Sequence, residues 1–295
     1  MRERPVLAGA VGALVIAFSA ILVRLAEVSP VTAAFFRCAY ALPALGLLAW
    51  IERRRHGPRP RRDRLLAAGA GVLFAADLIF WHYSIHAVGA GLATVLGNTQ
   101  VVLVGLIVWA LLGERPESRA LAAIPVAFAG VVLISGVVGA GAYGDDPLLG
   151  VIYGVLTGIA YSLFLLILRG AMTDLRRPAG PLFDATLVAA ACSAVAGVAI
   201  GDIDWVPRLE AQAWLVLLAL SSQVVGWLLI SVSLPRLPAV ATSILLMLQP
   251  VATVALGAVL LSESPSAVQL SGVAVVLAAV AFATVGPRTR ELEAA

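Results

Sequence analysis

The sequence predicts an all-α polytopic membrane protein, with ten transmembrane helices arranged as two inverted five-helix repeats. Three observations carry this. The 295 residues are 61% hydrophobic and only 13% charged, with a mean hydropathy of +1.00, against about 45–50% apolar in soluble domains. The apolar runs last about 18–23 residues, the length of a membrane-crossing helix, and lack the roughly 10-residue alternation of a barrel strand. The chain also matches itself at a displacement of 149 residues: Gln100 falls on Gln249, Leu111 and Leu112 on Leu260 and Leu261, Glu114 on Glu263, and Pro116 on Pro265, without a gap.

Charged residues and Pro/Gly breaks divide the runs into spans at 6–23, 30–51, 65–86, 90–112, 119–138, 148–169, 180–200, 211–234, 238–261 and 267–286. The first run, after Met1, Arg2, Glu3 and Arg4, has the form of a signal peptide. Its Ala17-Phe18-Ser19 recurs in the sixth span as Ala160-Tyr161-Ser162, which assigns it to the repeat instead. The third and fourth spans meet across 88–90, and the eighth and ninth across 235–238. Both joins are tight. Gly150, Gly154 and Gly158 line one face of the sixth span and predict a close helix contact. Domain limits follow: 1–139 for the first repeat, 147–286 for the second, and a cytoplasmic tail over 287–295.

All 20 basic residues are arginine, and 17 of them fall on one side if the N-terminus is cytoplasmic. Seven lie between Arg53 and Arg64, where they read as a topological anchor. This predicts a multi-pass protein of the plasma (inner) membrane with both termini cytoplasmic; the basic balance serves orientation against membrane lipid and implies no nucleic-acid partner. Cys38 and Cys192 lie inside apolar runs with no metal or redox spacing, so neither a metal nor another cofactor is expected.

Five spans per half is an odd number, so the second repeat begins on the opposite side of the membrane. Inverted repeats around a midplane site are a recurrent plan of secondary transporters. The fourth span is interrupted by Gly97, Asn98, Thr99 and Gln100, and the ninth by Gln249 and Pro250. Breaks at corresponding places mark the expected pathway, because they free backbone groups that a polar space or a neighbouring helix must satisfy.

Ionisable groups at membrane depth are costly and therefore functional candidates. On the third span, Asp77, Trp81 and Ser84 share one stripe, while His82 and His86 form another about 140–180° away. Asp77 reads equally as a proton- or amine-binding carboxylate and as a helix-to-helix tie to Arg37. His82 titrates near neutrality in one reading and simply donates to a carbonyl in the other. Trp81, Tyr161 and Trp227 lie too deep for interfacial anchoring. Asn98, Gln100, Ser162, Gln223, Ser231, Ser243 and Gln249 offer neutral hydrogen bonds to a solute or between helices. Asp77, Arg37, Glu114 and Glu263 are the coupling or gating candidates, the two glutamates also reading as loop-fixing groups.

Phe36-Arg37, Gly113-Glu114-Arg115-Pro116, Leu248-Gln249-Pro250 and Ser262-Glu263-Ser264-Pro265, in a chain of ten spans and two halves, resemble the EamA family of the drug/metabolite transporter superfamily. The resemblance implies a monomeric or homodimeric inner-membrane carrier of a small-molecule substrate, working by alternating access and often exporting amino acids or other metabolites. Proton or ion coupling is open, as are import and facilitated exchange. An intramembrane enzyme would show a nucleophile and base or a metal cluster. The sequence has no HExxH, GxSxG or paired-carboxylate motif, and a receptor or scaffold would display a larger soluble part, so no enzymatic activity is expected.

Overall fold

Prolines start several helices, because a residue in the first turn has no intrahelical partner for its N–H to lose. The computed structural model describes residues 4–113, 117–134, 146–260 and 266–284. In chain order the helices are α1 (Pro5–Ala26), α2 (Pro30–Ala39), α3 (Leu42–His56), α4 (Arg61–Gly97), α5 (Gln100–Leu112), α6 (Ser118–Ile134), α7 (Pro147–Gly170), α8 (Ala179–Ile200), α9 (Leu209–Leu218), a π-helical segment (Ala219–Gly226), α10 (Trp227–Ser233), α11 (Ala239–Leu246), α12 (Leu248–Leu260) and α13 (Ala267–Thr284). The described residues contain no strand. Pro5, Pro30 and Pro147 open their helices, and Ser29 and Asp146 cap α2 and α7 by accepting from Thr32 N and Leu149 N.

Among the described residues, six segments are long and apolar enough to cross a membrane: Pro5–Ala26, Pro30–His56, Arg61–Ser84, Leu148–Gly170, Ala179–Ile200 and Leu209–Ser233. Four shorter apolar helices accompany them: Gln100–Ala110, Leu121–Leu133, Ala239–Thr253 and Ala267–Phe282. Large apolar side chains such as Leu148, Val195 and Val259 stay 70–79% exposed on the outside of the bundle. In water such a surface would associate; against lipid tails it is the ordinary surface of a membrane helix.

Three details differ from the sequence expectations. The second span is interrupted between α2 and α3 at Tyr40 and Ala41, where Pro43, in the first turn of α3, has no N–H to continue the ladder. The break expected at Gln249 and Pro250 lies earlier, at Met247; Pro250 sits in the first turn of α12, where a missing N–H costs little. The first-half break falls where it was placed, at Asn98 and Thr99. Displaced by 149 residues, Asn98 corresponds to Met247, so the two halves break at one shared position.

The third detail is the join at 88–90, where helical backbone runs without interruption from Arg61 to Gly97. That stretch is not straight. A Cβ placed on Gly97 would lie 3.8 Å from Trp81, whereas a straight helix separates residues 16 apart by about 24 Å. α7 confirms the reversal. It meets the first arm of α4 in the antiparallel sense, with Gly170 by Leu66, Phe164 by Phe74 and Gly150 by Ser84, then meets Leu96 through Gly154 and Thr99 through Gly158 in the parallel sense. The chain therefore turns back between Ser84 and Leu96 without a proline to stop the ladder. At 235–238 two prolines do stop it.

The arginine-rich end is tied between the halves. Glu52 of α3 accepts from Ala179 N (3.0 Å) and Gly180 N (2.8 Å) at the start of α8. Arg59 pairs with Asp184 at 2.5 Å, and Arg177 donates to the carbonyls of His56, Gly57 and Pro58. Thr173 donates to Asp63. Glu52→Ala is expected to lower stability by about 1–2 kcal/mol, the usual cost of a lost N-terminal cap, read as a lower unfolding temperature in detergent, with Glu52→Gln losing less.

In the loop joining α7 to α8, Asp174 accepts from the Arg176 side chain and backbone and pairs with Arg177 at 2.9 Å. Arg176 above all holds this carboxyl well below the usual carboxylate range. A lowered folded-state pKa contributes stability that is complete above the unfolded value of about 3.9 and fades as pH falls through the lower folded value. Asp174→Asn is expected to lower the unfolding temperature at neutral pH, with the gap to wild type closing below about pH 4.

At the opposite end, the start of α2 meets the loop after α8. Ser29 donates to the Asp202 carbonyl, Asp204 N donates to Thr32 Oγ1 (2.9 Å), and the Tyr83 hydroxyl donates to Asp202 Oδ2 (3.3 Å).

Candidate functional site

The residues that converge in the interior come from α2, α4, α7, α8, the π segment, α10 and α12. Four rings form the core of the group. Phe74 stacks on Phe164 at 4.6 Å between centroids, and the edge of Trp227 meets Phe74 at 5.5 Å and Phe164 at 5.0 Å. Tyr161 joins at 6.3 Å from both Phe164 and Trp227. Phe74 lies one turn before Asp77 on α4, and Phe164 one turn after Tyr161 on α7, so each ring shares a face with a polar group.

Arg37 of α2 lies with its guanidinium 5.8 Å from the centre of the Phe74 ring. Its Nε donates to Gln223 Oε1 at 3.1 Å, and Gln223 Nε2 donates onward to Thr186 Oγ1 at 3.0 Å. Arg37 is 4% exposed; Gln223 and Thr186 are fully buried. Gln223 lies in the π segment, a backbone form that is rare and often found at functional sites. Asp77 sits within electrostatic range of Arg37 and Tyr161. Among the described residues no ion pair joins it to Arg37, so the direct helix-to-helix tie is not made. Its carboxylate also makes no hydrogen bond there.

Donors without acceptors complete the arrangement. Trp227 Nε1 is buried and unpaired, as is Ser231 Oγ one turn further along α10. The Gln249 side chain reaches the neighbourhood of the Tyr161 hydroxyl, while its own Nε2 is unpaired. Buried donors of this kind cost free energy unless something accepts from them. One carboxyl group, one guanidinium and two orphan N–H donors thus lie beside an aromatic wall.

The other candidates lie elsewhere or are already engaged. His82 is 4% exposed, its Nδ1 is 2.5 Å from the Leu78 carbonyl, and its ring packs on Trp81. Trp81 lies by Gly97 and outside the four-ring group. Gln100 Nε2 donates to the Ser243 carbonyl at 3.2 Å and ties the first break to α11 across the halves. Ser243 and Ser162 donate to Val240 and Gly158 carbonyls of their own helices. Asn98 is half-buried at the first break. Glu114 and Glu263 lie outside the described residues. Sequence reasoning missed Phe74, Phe164 and Thr186. The two phenylalanines were detectable as one-turn neighbours of Asp77 and Tyr161, whereas nothing in the sequence singles out Thr186.

One family model, described as the EamA-like transporter family, matches the chain twice, over 4–136 and 148–285. No curated protein matches the sequence. A protein of known crystal structure is similar in fold, with a TM-score of 0.78 at 19% identity, covering 99% of this chain and 100% of the other.

Proposed function

The chain belongs to the EamA-like transporter family, and from that premise we propose that it is a secondary transporter that moves small zwitterionic metabolites, amino acids or their relatives, by alternating access, in the direction of export across the inner membrane. The observation that supports the solute class is Asp77: a carboxyl group at membrane depth without hydrogen bond or ion pair among the described residues, beside Arg37, the Phe74/Tyr161/Phe164/Trp227 wall and the unpaired donors of Trp227 and Gln249. A charge left uncompensated in such a place is expensive. A solute ammonium on Asp77 and a solute carboxylate on Arg37, Trp227 Nε1 and Gln249 Nε2 compensate all of them together.

In this reading the ten spans form two inverted repeats, 1–139 and 147–286, with both termini cytoplasmic, and the paired breaks at Asn98 and Met247 flank the pathway. Coupling is to protons, with Asp77 as the group that exchanges a proton for the solute cation. Glu114 and Glu263, at equivalent positions of the two repeats, act as gates in the same scheme. The protein works as a monomer or homodimer.

The test is efflux from proteoliposomes preloaded with a mixture of amino acids and common metabolites, with and without an imposed pH gradient. Protein-dependent loss of a zwitterionic class, faster with the gradient, is expected. Loss confined to purely anionic or neutral solutes overturns the assigned solute class, and flux that ignores the gradient overturns proton coupling.

A further inference from the structure

We infer that Gln223 is a positioning residue that holds Arg37 out of ion-pair contact with Asp77, so that the Asp77 carboxylate stays free for a cationic group of the solute. Gln223 was a candidate solute ligand from the sequence. In the structure its side chain is fully buried and engaged at both ends, the oxygen by Arg37 Nε and the nitrogen by Thr186 Oγ1. Little of it is left to meet a solute.

Arg37 and Asp77 are opposite charges in one buried neighbourhood, and in a low dielectric their attraction is strong. Buried charges of opposite sign are normally paired. Here the pair is not made. Two contacts restrain the guanidinium instead: the hydrogen bond from Nε fixes the plane of the group, and the Phe74 ring, one turn from Asp77 on α4, lies 5.8 Å from its centre. Among the described residues, Arg37 is the charged group that acts on Asp77, with the Tyr161 hydroxyl as the other ionisable neighbour. Holding the arginine aside therefore decides whether the site offers a free carboxyl group or a closed ion pair.

The π segment supplies the restraint. It carries Gln223, and α10 continues from it to Trp227, one turn on, whose ring packs against the same Phe74. Thr186 on α8 orients the amide so that its oxygen, and not its nitrogen, faces Arg37. The relay thus runs from α8 through the π segment to α2, and it sets the charge pattern that α4 displays.

This inference rests on the reading of Asp77 as the free charge of the site, and its test needs no transported solute. A hydrophobic carbodiimide modifies carboxyl groups in apolar surroundings that have no cationic partner, and mass spectrometry of the full-length protein in liposomes locates the label. Wild type is expected to be labelled at Asp77. Gln223→Leu is expected to cut that labelling by about tenfold or more as Arg37 swings onto Asp77, Gln223→Glu is expected to keep it, and adding Arg37→Gln to Gln223→Leu is expected to restore it.

A merely structural role for Gln223 would move the leucine and glutamate variants together, and that result overturns the inference. So does labelling of Gln223→Leu at the wild-type level, or a wild-type Asp77 that resists the reagent. Should Gln223→Leu fail to fold, Thr186→Val carries the test: reduced labelling of Asp77 supports the relay and unchanged labelling overturns it. Absence of flux in the efflux experiment leaves this readout intact, so the two proposals fail separately.

Discussion

Asp77→Asn is expected to abolish proton-dependent flux and to weaken the apparent affinity for a zwitterionic solute by at least about thirtyfold, the lower end of the cost of removing one partner of a buried charge pair. The substitution keeps the shape of the side chain. Because Asp77 makes neither hydrogen bond nor ion pair with the other described residues, the variant is expected to insert and fold as the wild type does. The two effects separate cleanly in proteoliposomes: size-exclusion behaviour and unfolding temperature report the fold, and flux at imposed pH gradients reports the role. Proton-dependent flux at the wild-type level in a correctly inserted Asp77→Asn protein would reject the carboxylate as the coupling group.

Gly158→Leu is expected to be the most damaging single change outside the site. A Cβ at this position meets Thr99 Oγ1 well inside contact distance and the Leu96 carbonyl at 3.2 Å. The second of these is backbone and cannot rotate away. Overpacking of a well-filled contact costs about 1–3 kcal/mol and more where backbone must shift, and here it falls on the first-half break, where Asn98 and Thr99 leave the helical ladder. A fall of about 3 kcal/mol or more, seen as loss of the monodisperse folded protein, is expected. Gly69→Ala is the matched control. Nothing lies within 4 Å of a Cβ there, and alanine is the better helix former, so that variant is expected to be at least as stable as the wild type.

The all-helical membrane class and the two-repeat organisation were legible in composition and in one register shift. Lipid forces backbone polar groups to pair locally, so an apolar run of sufficient length already implies a helix. The first-half break was legible too, because Asn and Thr beside Gly97 interrupt an apolar run. The second was placed two residues late, since proline is the conspicuous residue there while the turn itself is made at Met247, which carries no chemical signature. The small-residue seam was visible as Gly150, Gly154 and Gly158, and the structure gives its partners: Ser84, Leu96 and Thr99.

The interior site was legible only in part, for a physical reason. Sequence spacing identifies residues that share a face of one helix, but Arg37, Asp77, Thr186 and Gln223 come from four different segments, and only packing brings them together. Asp77 and Arg37 stood out because charge is rare at membrane depth. Which of them pairs with what depends on an amide whose orientation is set by a buried threonine, and one threonine among many small polar residues carries no signal. His82 shows the converse: a rare residue in a span, whose ring nitrogen faces its own helix's Leu78 carbonyl.

The reversal of α4 between Ser84 and Leu96 has a consequence for biosynthesis. The turn is built from alanine, valine, glycine, isoleucine, threonine, leucine and a single histidine, so its sequence holds no charged or proline-rich loop that would separate the two arms during synthesis. The two arms are therefore expected to leave the translocon together, as a helical hairpin. A nascent chain stalled just after His86 would thus present an arm without its counterpart, and the earliest stable unit to enter the bilayer in this region ends beyond Gln100, once the second arm has been made.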